Sequence, residues 1–209
     1  MGDKAVIRSE EELDDLLSRP RPETIDMLSR LDGDVMVLGI AGKMGPTLGR
    51  MILRAAHAAG VKKKVYGVAR FSEDGLFERL ETSGVSCIRC DLMDMNRVAA
   101  LPKVPNVIYM AGRKFGKIGT DYLYWAINAV APANAARHFH DSRMVVFSTG
   151  SIYDLWPSES EGPGETDAFQ SLGEYANSCL ARERIFEYYS RANGTEILTY
   201  EYTKTVDSE

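Results

Sequence analysis

The feature that most limits what this chain can fold into is its alternation of short apolar runs with longer segments of helical periodicity. Val35 to Leu38 is an apolar run of strand type. A turn bearing glycines follows it, and then a helix bracketed by Pro46 and Gly60, with Leu48, Met51, Ile52 and Ala55 at helical spacing. The alternation continues as strand 64–69, helix 74–83 stopped at Gly84, strand 85–90, short helix 94–100, strand 105–110, helix 120–139, strand 143–148, helix 173–192 and strand 195–201. Strands that return only after a helix pair in parallel, because a parallel pair needs a long crossover, and helices then cover the sheet. The expected class is α/β, a doubly wound parallel sheet with helices on both faces. An acidic, helical lead-in over 9–31, broken by Pro20 and Pro22, sets an extension (1–33) apart from the sheet-forming domain (34–209).

Composition narrows the partners. The chain is 44% hydrophobic and 26% charged, the balance of a globular domain rather than a disordered one. A formal net charge of −5 argues against nucleic acid, since a phosphate backbone asks for a basic stripe and Lys62 to Lys64 is only a short run at a strand start. No apolar run approaches the ~20 residues of a membrane helix, and the N-terminal segment is acidic, so no membrane partner and a cytoplasmic location are expected. Cys87, Cys90 and Cys179 are an odd set and build no disulfide framework. Cys87 and Cys90 have C-x-x-C spacing, but on a strand residues three apart face opposite ways, so packing is the better reading. His138 and His140, two apart at a helix end, share no face, and no metal site is expected.

The turn after the first strand reads Gly39-Ile-Ala-Gly42-Lys43-Met44-Gly45. Glycines there let backbone approach a pyrophosphate whose charge rests on the N–H groups opening the next helix, which points to a Rossmann-type dinucleotide site. A merely tight connection is the plainer alternative. At the end of the second strand an acid would mark NAD and an arginine NADP; this chain has Arg70, so NADP is favoured over NAD, unless Arg70 only faces solvent. Residues 154–172 form the longest irregular stretch, with Pro157, Gly162, Pro163 and Gly164, ahead of Tyr175.

Over about residues 34–202 these motifs resemble the NAD(P)-dependent epimerase/dehydratase family of the extended short-chain dehydrogenase/reductase superfamily. The glycine turn has that family's G-x-x-G-x-x-G form. Cys90-Asp91-Leu92-Met93-Asp94 is similar to its D-L-x-D element, which implies that Asp91 contacts the adenine amino group and Leu92 offers a backbone contact. Val107 to Gly112 resembles the strand end along the nicotinamide ribose, implicating Ala111 and Gly112. Asn128 matches the asparagine of the active-site helix. Phe147-Ser148-Thr149-Gly150-Ser151-Ile152-Tyr153 is similar to the S-[ST]-x-x-V-Y element and puts Thr149 at the catalytic hydroxyl. Gly173 to Glu183 frames Y-x-x-S-K-x-x-x-E around Tyr175, with Cys179 where the family has lysine. From the residues alone, Asp91 could instead cap a helix, Asn128 could bond backbone, and Thr149 and Ser151 could end a strand.

Two departures shape the expected function. In the family the lysine lowers the tyrosine pKa and bonds the nicotinamide ribose, and a neutral thiol does neither well. A nearby cation could replace it, with Lys114 and Lys117 as candidates. Family members also carry a C-terminal substrate domain, whereas this chain stops soon after its sixth strand, so that domain is expected to be lost or the chain to be a fragment, with a second subunit covering the open side. The expected function is hydride transfer on a nucleotide sugar or another small hydroxy or keto compound, with Thr149, Tyr175 and Asn128 as catalytic residues. The alternative is a catalytically silent NAD(P)-binding sensor or assembly subunit.

Overall fold

A computed structural model describes residues 6–202 apart from 115, 117, 118, 154, 158 and 165, and only the backbone of 201 and 202. The chain divides into two compact units, one ending at Arg89 and the other beginning at Cys90.

The first unit holds α1 (Glu10–Leu17), α2 (Pro22–Arg30), β1 (Val35–Leu38), α3 (Gly45–Ala58), β2 (Val65–Ala69), α4 (Leu76–Thr82) and β3 (Ser86–Arg89). Its strands run in the order β3-β2-β1, all parallel. Every side chain of β1 is buried, as a strand covered on both faces requires. Proline punctuates the lead-in as expected: α1 ends before Pro20 and α2 starts at Pro22. Ser9 caps α1 by accepting the Glu12 N–H at 3.1 Å. Arg54 of α3 holds the end of α1, donating to the Asp15 carboxylate and the Ser18 hydroxyl, each at 2.9 Å.

The second unit holds α5 (Met95–Ala99), β4 (Asn106–Tyr109), α6 (Tyr122–Trp125), a π-helical turn (Ala126–Val130), α7 (Ala131–His138), β5 (Arg143–Thr149), a 3-10 turn (Gly150–Ile152), α8 (Gly173–Asn193) and β6 (Ile197–Tyr202). Its strand order is β4-β5-β6, again parallel. The fold class is thus the doubly wound, Rossmann-type α/β one that the alternation predicts. Tyr109 of β4 meets Phe186 of α8 edge-on, centroids 5.0 Å apart, with both rings buried. Burying a side chain of that size contributes about 2–3 kcal/mol. Gly194, with φ 71°, ends α8 in the left-handed conformation that glycine adopts freely.

One element differs from expectation. The segment 120–139 is not a single α-helix but three pieces, with the π-helical turn in the middle. Pro132 is the cause: it has no N–H to return to the Asn128 carbonyl, and its ring crowds that position. The wider turn before it absorbs the missing bond, and such turns concentrate at functional sites. Asn128 lies inside it.

Candidate active site

In the first unit, β1 runs straight into the glycine turn. Gly39, at φ 91°, donates its N–H to the Val68 carbonyl at 2.8 Å, tying the turn to β2. Gly42 and Gly45 then fold back in succession, bonding to the carbonyls of Gly39 at 3.0 Å and Gly42 at 3.1 Å. Gly45 is locked, because a Cβ there would stand 2.1 Å from the Ile40 carbonyl oxygen. Gly42 is not locked: its Cβ would find the Gly39 oxygen at 3.4 Å, and the residue is exposed, like Lys43 and Met44. Among the described residues no side chain caps α3, and its first turn carries no acid. Its own cap and first turn thus supply nothing to offset the positive end of its dipole.

Arg70 is exposed just past β2. The next residue, Phe71, is held at φ 51°, a conformation that costs a non-glycine residue about 1 kcal/mol. Arg89 holds it there, donating to the Phe71 carbonyl at 3.0 Å with its guanidinium over the Phe71 and Phe77 rings. That clamp was not legible in sequence, since it needs β3 beside β2.

The second unit gathers most of the other predicted residues around α8. Asn128 is fully buried and its amide is committed on both sides. The oxygen accepts the Arg113 N–H at 2.8 Å; the nitrogen donates to the Ser178 hydroxyl at 3.0 Å and to the Arg113 carbonyl at 3.2 Å, and reaches the Cys179 sulfur at 3.8 Å. Ser178 in turn donates to the Tyr175 carbonyl at 2.7 Å. Asn128 thus fixes the loop after β4 and the first turns of α8 together. Tyr175 packs against the cluster of Ile152, Tyr153 and Cys179, its ring meets that of Tyr124 at 6.0 Å, and Thr149 and Cys179 both act on its phenol. Thr149 ends β5 and caps the 3-10 turn, accepting the Ser151 N–H and donating to the Ser151 hydroxyl, both at 3.2 Å. Ser148 donates to the buried Glu183 carboxylate.

Electrostatically this cluster favours neutral acids. Burial, then Cys179, pushes the Tyr175 phenol above its ordinary value, against the pull of Arg182 and of the Thr149 hydrogen bond. Burial also raises the Cys179 thiol, opposed first by Arg182. Arg182 is the residue that sequence reasoning missed. It is 6% exposed, three residues after Cys179 and seven after Tyr175, a spacing that puts all three on one helix face. Lys114, named earlier as a substitute cation, is exposed, and Lys117 lies outside the described residues. An arginine in helical register with Tyr175 and Cys179 was the available signal.

Ala111 and Gly112 adjoin this cluster: the Ala111 carbonyl accepts from Arg182 Nη1 at 3.5 Å, and a Cβ on Gly112 would stand 2.8 Å from that nitrogen. Asp91 and Leu92 sit in the turn before α5. Asp91 accepts the Met93 N–H at 3.0 Å, while the α5 cap is Asp94, which accepts the Asn96 and Arg97 N–H groups. The Leu92 carbonyl accepts from Asn134 at 3.0 Å.

A profile of the NAD dependent epimerase/dehydratase family matches residues 35–206, most of the chain, and the chain belongs to that family. In structure it is similar to the UDP-glucuronic acid 4-epimerase from Bacillus cereus in complex with NAD: TM-score 0.67, 20% identity, covering 82% of this chain and 56% of that one. It is also similar to the UDP-Glc/GlcNAc 4-epimerase from Campylobacter jejuni, with TM-score 0.68, 18% identity and coverage of 82% and 53%. The UDP-glucose 4-epimerase of Thermus thermophilus in complex with NAD gives TM-score 0.66, 22% identity and coverage of 81% and 54%. These likenesses establish the fold, and the chain spans just over half the length of these proteins. No curated protein matches it by sequence.

Proposed function

We propose that the chain binds a nicotinamide dinucleotide and acts by hydride transfer on a nucleotide sugar or another small hydroxy or keto compound. The observation that carries this reading is the pairing of Thr149, at the end of β5, with the half-buried Tyr175 phenol of α8 that it acts on, a hydroxyl and a phenol in the family's order. Its relatives support the chemical class, since the Bacillus cereus enzyme has been solved with UDP-glucuronic acid and NAD.

The residues present suit the cofactor. A bare, exposed Gly42 and an uncapped α3 offer a pyrophosphate both backbone approach and an unneutralised helix dipole. In this reading Gly39, Gly42, Lys43, Met44 and Gly45 hold the pyrophosphate, and Arg70 takes a 2′-phosphate, which makes NADP the preferred form. Asp91 and Leu92 serve the adenine, and Ala111, Gly112 and Cys179 the nicotinamide ribose. Bound there, the nicotinamide would supply the hydride donor or acceptor. Tyr175, neutral at pH 7, donates its proton to a substrate carbonyl oxygen, and Thr149 orients the same oxygen. In the opposite direction Tyr175 must first be a phenolate, which for a pKa of 10 or above is at most about one molecule in a thousand at pH 7. Asn128, with its amide fully engaged, holds α8 in place.

One observation favours a second reading, a silent dinucleotide-binding subunit: the lysine position is a buried, neutral Cys179 that raises rather than lowers the Tyr175 pKa. The deciding experiment is titration with NAD(H) and NADP(H), followed by turnover on a panel of UDP-sugars and small ketones with Tyr175→Phe as control. NADP(H) is expected to bind more tightly, and Arg70→Asp to shift the preference toward NAD(H) by about 1–3 kcal/mol. Binding without turnover selects the silent subunit; absence of binding removes both readings.

A further inference from the structure

Among the described residues the buried guanidinium of Arg182 is paired with no acid. No ion pair of Arg182 is found among the described residues, its Nε has no hydrogen-bond partner, and its bond to Ala111 is long at 3.5 Å. A cation buried in this way costs several kcal/mol unless something nearby uses the charge. An arginine serving only to brace α8 would spend its donors on carbonyls or carboxylates. Here the head group instead lies against the bare backbone of Gly112, where a Cβ would stand 2.8 Å from Nη1 and 3.3 Å from the Asn128 oxygen.

We propose that Arg182 supplies, from one turn further along α8, the positive charge that the family's lysine would supply, acting on Tyr175 through space past the intervening Cys179. It is a positioning residue, and the inference rests on the tyrosine chemistry proposed above. The groups around it fit this role. On α8 they are Cys179, Tyr175 and Glu183; from β4 comes the Tyr109 phenol, whose hydroxyl has no hydrogen-bond partner among the described residues; from the π-helical turn, Asn128. Tyr175 itself also meets Thr149 from β5 and the Tyr124 ring from α6. The Glu183 carboxylate is engaged by Ser148 and pushes the Cys179 thiol up, against the pull of Arg182. Among the described residues Arg182 is thus the one cation acting on Tyr175, Cys179 and Tyr109 alike, in each case toward the ionised form. Burial outweighs that pull, so the guanidinium limits the upward shift of Tyr175 without reversing it.

The test is to follow ionisation directly in the full chain carrying fluorotyrosine, by fluorine NMR against pH, with Tyr175→Phe assigning the signal. Fluorination brings the midpoint into a range where the fold persists. Arg182→Met and Arg182→Gln, two neutral replacements of different polarity, are each expected to move the Tyr175 midpoint to more alkaline pH, and Arg182→Lys to restore part of the shift. Arg182→Met is also expected to melt no lower than wild type, since it removes an unpaired buried charge, whereas a bracing arginine would lower it. An unchanged Tyr175 midpoint in either folded neutral variant overturns the proposal. Dinucleotide titration of the unlabelled wild type keeps the two readings separate: a moved midpoint without dinucleotide binding sinks the proposed function and leaves the charge relation standing.

Discussion

Gly42 and Gly45, three residues apart in one turn, answer to different constraints. The missing Cβ of Gly45 is a requirement of packing, because the Ile40 backbone stands where it would go. Gly45→Ala should therefore cost about 2–4 kcal/mol or prevent folding, read as a fall in melting temperature. Gly42 is exposed and a Cβ there meets only the Gly39 oxygen, at ordinary contact distance, so Gly42→Val should melt near wild type yet lose dinucleotide affinity, since its branched side chain covers the backbone that a pyrophosphate must approach. Loss of fold in Gly42→Val, or full affinity, would contradict the assignment. Cys179 provides a third case. At 1% exposure beside Arg182, a lysine there adds a second buried cation of like sign, and Cys179→Lys should destabilise by about 3 kcal/mol. Adding Arg182→Met should recover much of that loss, with coupling of about 1–3 kcal/mol in a double-mutant cycle. With one cation beside Tyr175 again, the double variant should also turn over at lower pH than Arg182→Met alone.

The π-helical turn is the element that organises the second unit, because it aims Asn128 at both the loop after β4 and the Tyr175 helix. Asn128→Ala leaves the Arg113 N–H without its acceptor and takes from the Ser178 hydroxyl one of its two bonds, and the loss should cost about 2–4 kcal/mol, checked by denaturant melts. How far this was legible follows from the physics of each part. The strands and most helices could be read from the sequence because periodicity and the punctuation of Pro22, Pro46, Gly60 and Gly84 are local signals. Motif order singles out Thr149, Tyr175 and Asn128, and the structure sets Asn128 against Ser178 in the first turns of α8, where Tyr175 sits. The break at Pro132 was visible as a residue but not as a π-turn, whose register depends on what Asn128 bonds across space. Arg182 went unread because charge on a helix usually means solvent, and only the packed neighbours show this one to be buried. The clamp of Arg89 on Phe71 depended likewise on a strand neighbour.

Across the whole molecule, the shifted thiols and phenols all move in one direction, and that gives stability an alkaline limit. Cys87, pushed from 9.0 to about 11 chiefly by burial, stays protonated in the folded chain where the unfolded chain has already ionised. Its contribution is full below pH 9.0 and is lost as pH rises through about 11, and Cys90, Tyr109, Tyr175 and Cys179 shift in the same sense. Melting temperature should therefore fall from about pH 9 upward, less steeply in Cys87→Ala; a flat profile to pH 11 would contradict this. The parallel pairing of β5 with β6 has a consequence of another kind, for the order of events as the chain is made. Thr149 has left the ribosome long before its partner Tyr202, with the irregular stretch and all of α8 between them. Until β6 arrives one edge of β5 stays unpaired, so the second unit closes only after α8 and β6 have emerged, and the nascent chain passes through a stage in which a chaperone has most to protect.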